Sequence, residues 1–185
     1  VSAEEQSQYI NGVTQINGYT EFEQPQVIEN QDMAQLGYSD IRAYKIENAG
    51  ELAWFVQHFY AGDLETQNVS LADNIDMSAL AAYSWTPLGY YNVETQTGKS
   101  YDGVFDGNGY SISNIILNQI NGVDLVSKVS EEQAAVLGTQ PIENIAQNAL
   151  AGVFGYIGSA GHVTELKLEN TSITSNADAG VLTGR

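Results

Sequence analysis

The sequence predicts a mainly β fold built as a repeating coil, a solenoid of short strands, and two observations predict it. The stretches Phe105-Asp-Gly-Asn-Gly-Tyr-Ser-Ile-Ser-Asn-Ile115, Ala151-Gly-Val-Phe-Gly-Tyr-Ile-Gly158 and Val163-Thr-Glu-Leu-Lys-Leu-Glu-Asn170 read as apolar rungs separated by Gly and Asn turns. A second Ala-Gly-Val triplet, at Ala179 to Val181, follows the one at Ala151 to Val153 by 28 residues and opens another copy.

Composition agrees with a folded, turn-rich chain. The 185 residues leave room for one domain with a sizeable core, and 43% hydrophobic residues with 18 Gly but only 3 Pro argue against gross disorder. Asp and Glu number 23 against 6 Lys and Arg, a formal charge of −17. That field repels phosphate backbones and anionic lipid, which argues against nucleic acid and membrane surfaces as partners. No cysteine is present, so neither a disulfide framework nor a thiolate metal site can form. No apolar run approaches the roughly 20 residues that a membrane-spanning helix needs, so no direct membrane insertion is expected. No basic segment leads into an apolar one at the start, and an export signal is expected to lie outside this chain.

Taken in order, residues 1–45 form an N-terminal arm of scattered apolar positions punctuated by Asn11-Gly12 and Asn17-Gly18, irregular or made of short strands. A helix follows. Asn48 can accept from the free N–H groups of a first turn, Glu51 can reach back to complete a capping box, and Leu52, Phe55, Val56 and Phe59 fall at i, i+3, i+4 and i+7. Beyond Gly62 the period becomes two: Val69 and Leu71, then Ile75 and Met77, alternate with polar neighbours as half-buried strands do.

Trp85-Thr-Pro-Leu-Gly89 turns a corner, and residues 90–101 read as a polar loop with Thr97-Gly98-Lys99 at its tip. Tyr110, Ile112 and Ile115 to Leu117 form the best strand. Residues 119–150 read as a helical insertion between two rungs. Ser130-Glu-Glu-Gln133 has capping-box form, and Pro141 can open a second helix with Ile142, Ile145, Ala146 and Ala149 on one face. Strands return at Val153-Phe154, Val163 to Leu168 and Ser172-Ile173.

In their order, three groups of residues resemble bacterial surface proteins that carry the GLUG motif, and the related β-helical region preceding the protease domain of IgA-specific metallopeptidases. The first joins Ile46 to Phe55 with Leu71-Ala-Asp-Asn-Ile-Asp-Met-Ser78. The second joins Trp85 to Gly89 with Phe105 to Ile115, and the third joins Ala151 to Gly155 with Val163 to Asn170. The resemblance spans residues 46–185 and implies a right-handed parallel β-helix domain with an N-terminal capping α-helix, in secreted or surface-anchored proteins. The insertion at 119–150 is longer than such relatives carry. The last copy is unfinished at Gly184-Arg185, so a fragment of a larger protein is expected, with the polypeptide continuing beyond Arg185.

The candidate chemistry is sparse. Asp73, Asp76, Asp102 and Asp106 lie near turns, and calcium takes clustered oxygen ligands, yet the spacing lacks the rest of an EF-hand; turn residues that bond their own backbone account for them. No cofactor is expected, with bound calcium as the alternative that the acidic excess leaves open. A lyase acting on acidic sugars needs clustered cations, and Arg42, Lys45, Lys99, Lys128, Lys167 and Arg185 are scattered. A hydrolase needs only two carboxylates at a set separation, which 23 acids leave open. His58 and His162 have no second ligand at metal spacing, and no Gly-x-Ser-x-Gly elbow frames a nucleophile.

Tyrosine is abundant, with 11 copies, and Tyr83, Tyr90, Tyr91, Tyr101 and Tyr110 fall in one stretch with Trp85. Rigid amphipathic rings suit contact surfaces, so Trp85, Tyr90, Tyr91 and Tyr101 are the candidate partner-binding residues, with the packing of loops on the coil as the simpler reading. The expected function is a non-catalytic adhesion, binding or spacer module of a larger secreted bacterial protein, acting at the cell surface on a host or neighbouring-cell protein or a glycan. The alternatives are an accessory domain of a large surface protease and a carbohydrate-active β-helix enzyme.

Overall fold

Short strands and tight corners follow one another along most of the chain. The computed structural model describes residues 9–16, 19–62, 64–126, 130–137, 151–175 and 179–183. The N-terminal segment holds β1 (Val13–Ile16), β2 (Tyr19–Phe22), β3 (Gln26–Glu29), α1 (Gln31–Gln35) and β4 (Arg42–Ile46). Then come α2 (Ala49–Ala61), β5 (Asn68–Leu71), β6 (Ile75–Asp76) and a 3-10 helix (Met77–Leu80). After these lie β7 (Tyr90–Asn92), β8 (Thr97–Lys99), β9 (Val104–Asp106), β10 (Ser111–Ser113) and β11 (Ile116–Asn118). The last elements are α3 (Glu131–Leu137), β12 (His162–Thr164), β13 (Lys167–Glu169) and β14 (Ser172–Thr174).

The fold is mainly β, and its sheets are mixed. Three of them share one feature: β5, β9 and β12 pair in parallel, as do β6, β10 and β13, and as do β11 and β14. The chain therefore visits the same sheets in the same order on successive passes. Register lines up one apolar residue per strand. Val69 pairs with Phe105 and Phe105 with Val163; Ile75 pairs with Ile112 and Ile112 with Leu168; Leu117 pairs with Ile173. Val69, Phe105, Ile75, Ile112 and Leu117 are buried in the main core, and Val163, Leu168 and Ile173 pack half-buried on it. Burying each of the first five side chains contributes about 1.5–3 kcal/mol. Antiparallel pairing enters where β3 joins β4 and in the hairpins β1–β2 and β7–β8.

The Ala-Gly-Val repeat is a spatial repeat as well. Ala151 bridges in parallel to Ala179 and Phe154 to Thr183, with Gly180 N–H donating to the Ala151 carbonyl at 3.0 Å.

Corners explain why expected strands are split. Ile112 and Leu117 lie on separate strands because Asn114, at φ 61°, turns the chain between them. Asn170, at φ 51°, does the same between β13 and β14, and Glu165, at φ 50°, between β12 and β13. Asn tolerates the left-handed region because its short polar side chain bonds locally. Met77 is likewise not a strand residue. The Asp76 carboxylate accepts from Ser78 N–H at 2.9 Å and starts the 3-10 helix in its place.

Strand β5 is buried on both faces rather than one. Val69 and Leu71 face the main core. On the other side, Asn30 caps α1 through Oδ1 and donates Nδ2 to Asp106 Oδ2 (2.8 Å) and Ser70 Oγ (3.3 Å). Met33, Ala43 and Val104 form a second small core there. Asn68 stitches this sheet, donating to the Asp40 and Arg42 carbonyls and accepting from Val104 N–H. Such buried amides are satisfied in full, which keeps their burial from costing stability.

Helix α2 forms as expected, with one shift in its cap. Asn48 Oδ1 accepts from Glu51 N–H at 2.9 Å, whereas the Glu51 carboxyl accepts from Glu47 N–H at 3.0 Å, one residue earlier than a capping box requires. Its buried face carries Leu52, Phe55, Val56 and Phe59 into the core, where the rings of Phe55, Tyr101, Phe154 and Phe105 meet in sequence at centroid separations of 5.1 to 6.3 Å. In the insertion, α3 occupies Glu131–Leu137 with Ala134 buried, and Leu125 and Val126 bond back to Ser84 and Thr86. The second helix expected from Pro141 lies outside the described residues.

Candidate functional site

Two exposed features project from the stacked strands: the β7–β8 hairpin and the start of the insertion after β11. The hairpin replaces the expected loop. Thr97-Gly98-Lys99 is not its tip but its return strand, pairing Tyr90 with Lys99, Tyr91 with Gly98 and Asn92 with Thr97. The tip is Val93 to Gln96, because the Asn92 side chain accepts from the N–H groups of Glu94 and Thr95, and Gln96 takes φ 53°.

Lys99 fixes this hairpin to the end of α2. Its ammonium donates to the carbonyls of Phe59 (2.5 Å) and Gly62 (2.8 Å), lies 3.7 Å from Glu65 Oε2, and sits 4.8 Å from the Phe59 ring centroid. A cation there answers the unpaired carbonyls and the negative end of the helix dipole.

The base of the hairpin is set by two motifs that interlock. Leu88 bridges in parallel to Phe154; Leu88 N–H donates to Val153 O, Gly155 N–H to Leu88 O, and Trp85 Nε1 to Val153 O at 3.0 Å. Gly89, at φ 86°, passes so close to the Tyr156 backbone that a Cβ would overlap its carbonyl, and a Cβ on Gly155 would overlap the Gly89 carbonyl. The glycines of Trp85 to Gly89 and of Ala151 to Gly155 are thus required by each other.

This geometry divides the four candidate contact residues. Trp85 is 5% exposed and Tyr101 fully buried, the indole N–H held by Val153 O and the Tyr101 hydroxyl donating to Gln67 O at 2.9 Å. Burial drives the Tyr101 phenol well above its ordinary range. Both are core residues, so neither presents a surface to a partner. Tyr90 and Tyr91 remain half-exposed. Tyr90 stacks on Tyr60 at 6.0 Å and 20°, and Tyr91 packs against Tyr156 at 5.4 Å. The Tyr60 hydroxyl donates to the carbonyls of Pro87 and Gly89, which ties α2, the corner and the hairpin together. Tyr60 and Tyr156 were not singled out in the sequence. Tyr156 follows the Ala151 to Gly155 motif directly, and that adjacency was the available signal.

The insertion offers a second patch. Asn118 Oδ1 accepts from Ile120 and Asn121 N–H and shapes a tight turn, leaving Ile116, Ile120 and Val123 exposed. Beside it a shallow, water-sized depression is lined by Met77, Tyr83, Asn114, Ile116 and Leu125, among others. No carboxylate, His or Lys lines it.

The turn carboxylates hold the chain's own turns. Asp73 accepts from Asn74 N–H, Asp106 from Asn108 N–H, and Asp102 from Ala160 N–H and Ser100 Oγ. No group of three or more His, Cys, Asp and Glu gathers at metal distance among the described residues. His58 stacks on Trp54 at 3.9 Å and bonds its carbonyl through Nδ1, and burial lowers its pKa. His162 sits in β12, paired with Val104. Arg42, Lys45 and Lys99 are each engaged with a separate carboxylate, Asp40, Glu47 and Glu65. No helix among the described residues is long and apolar enough to cross a membrane.

Over 116 residues, 62% of this chain, the sequence is 28% identical to halomucin from Haloquadratum walsbyi (strain DSM 16790 / HBSQ001), and that span is 1% of the relative's length. No family model matches the chain, and no solved structure matches it.

Proposed function

We propose that this chain is a non-catalytic binding or spacer module of a larger secreted protein, displayed at the cell surface, with a parallel β-helix as its scaffold and the β7–β8 hairpin as its contact element. The observation that carries the reading is the anchored, tyrosine-bearing hairpin. Its base is clamped by Lys99 and Tyr60, while Tyr90, Tyr91 and Tyr156 stay partly open to solvent. Rigid rings on a fixed loop give contact area at low entropic cost, and functional groups concentrate on loops carried by a regular scaffold.

Support for the scaffold comes from the parallel pairing of successive passes in three sheets, with the 28-residue separation from Ala151 to Ala179 as a minimal repeat. A right-handed sense follows the general rule for parallel crossovers. Helix α2 acts as the cap at one end of the coil, and the level formed by β12, β13 and β14 receives the next stretch of the same polypeptide. Similarity to a small part of a very long protein fits a module of this kind.

The partner is a glycan or a protein. Stacking of sugar rings on half-exposed tyrosines favours the glycan. A glycan array, read with the native fragment and with Tyr91→Ala, tests this: binding weakened roughly tenfold by the substitution is expected, from loss of one aromatic contact. Release of reducing sugar that disappears on replacing a single Asp or Glu would overturn the non-catalytic reading.

A further inference from the structure

We propose that Glu51 is a proton-operated latch, which holds the β1–β2 hairpin and the residues after it against the N-terminus of α2 while protonated and loosens them when it ionises.

The docking itself is close and specific. Gly50 N–H donates to the Asn11 carbonyl at 2.8 Å and Asn48 Nδ2 donates to Glu23 Oε2 at 3.4 Å, while within the docked segment Glu23 N–H donates to the Gly12 carbonyl at 2.8 Å and extends the hairpin. Gly12 takes φ 78°, and a Cβ on Gly50 would overlap the Gly12 backbone, so the two segments touch main chain to main chain. Phe22 from β2 and Val13 from β1 complete the contact with the core below α2.

Glu51 stands at this junction with 6% of its surface exposed. Among the described residues its carboxyl accepts one hydrogen bond, from Glu47 N–H, so a full charge there would be poorly compensated. Burial is the main influence on its carboxyl and raises it to about 7. The Glu47 N–H and the Lys45 ammonium oppose that rise, and the charges of Glu23 and Glu47 add to it. Glu23 comes from the docked segment, while Glu47 and Lys45 come from β4 and its connection to α2. Lys45 is already engaged with Glu47 at 2.6 Å. The 3-10 helix that also packs on α2 brings no charged side chain. Ionised Glu51 therefore gains by reaching water and by moving away from Glu23, and the second gain comes from separating the docked segment from α2.

Hydrogen exchange of the Gly50 amide, expressed as a protection factor between pH 5 and 9, tests the latch. In the native chain, protection is expected to fall roughly tenfold through pH 7, while amides of β9 and β10 keep theirs. Glu51→Gln is expected to hold protection constant over the range. Should that variant fail to fold, Glu23→Gln decides, because removal of a like charge moves the midpoint of the fall to lower pH. Constant protection in the native chain, an unchanged fall in Glu51→Gln, or an unmoved midpoint in Glu23→Gln would each overturn the proposal.

Discussion

Asn170 donates its side-chain amide to Oδ1 of Asn114 at 2.6 Å, and Asn114 in turn donates to Oδ1 of Asp76 at 2.8 Å. The three residues occupy the same corner on three successive passes of the chain. Two of them hold left-handed backbone, so the ladder both turns the chain and ties its levels together.

Asn114→Ala removes both amide bonds and strains the corner, and is expected to cost about 2 kcal/mol; Asn114→Gly keeps the turn and is expected to cost about half of that. Urea denaturation measures both. The Asn114 amide is also the largest influence holding the Asp76 carboxyl below its ordinary value, followed by the bond from Ser78 N–H. A lowered carboxylate stabilises the fold above its ordinary pKa, and the benefit is lost as pH falls through the folded value. In Asn114→Ala, NMR titration of Asp76 is expected to return its pKa toward the ordinary value of 3.8.

Lys99→Met keeps the stem over Phe59 and removes the charge from the end of α2. A loss of about 1–2 kcal/mol is expected by thermal denaturation, with earlier exchange of the β7 and β8 amides than of β9. Equal stability of the variant and the native chain would show that the hairpin is held by Tyr60 and its rings alone.

Two glycines with the same backbone conformation should respond differently to alanine. Gly109, at φ 81°, has open space where a Cβ would stand, so Gly109→Ala carries only the left-handed strain of about 1 kcal/mol. Gly89, at φ 86°, would drive its Cβ into Tyr156, and Gly89→Ala is expected to cost about 3 kcal/mol or more. Paired denaturation curves distinguish strain from overlap.

Glu51 gives a stability test separate from local opening. Its carboxyl is raised from 4.5 to about 7 in the fold. A raised carboxyl imposes nothing below pH 4.5, where both states are protonated, and costs increasingly as pH climbs to 7, reaching about 3 kcal/mol at most. Glu51→Gln is therefore expected to match the native chain at pH 4 and exceed it by about 2 kcal/mol at pH 8, as read from denaturation midpoints. A variant less stable at both values would show that the acid is needed for packing.

Local signals carried well where a residue acts on its own neighbours. Asn48 before an apolar stripe specified α2, and Gly and Asn marked nearly every corner, because capping and positive φ are decided within a few residues. The Ala-Gly-Val repeat foretold two segments lying side by side, since like units bury like faces. Periodicity misled where a strand was covered twice. Val69 and Leu71 alternate with Asn68 and Ser70, yet Asn30 and α1 cover the polar side, a contact between residues 40 positions apart.

The candidate contact site was legible only in part for the same reason. Aromatic density marked the stretch from Tyr83 to Tyr110, but a ring in the core and a ring on a surface look alike in sequence. What separated Trp85 and Tyr101 from Tyr90 and Tyr91 was the return of the chain at Val153 and Gln67 to accept their polar atoms. The sequence by itself determined the turns, the cap of α2, the repeat and the acidic charge, all set by short-range sterics or by composition. Only the tertiary structure decided which rings are buried, that Lys99 closes a helix far from its own hairpin, and that Glu51 is sealed beside Glu23. Each of these depends on desolvation by segments distant in the chain.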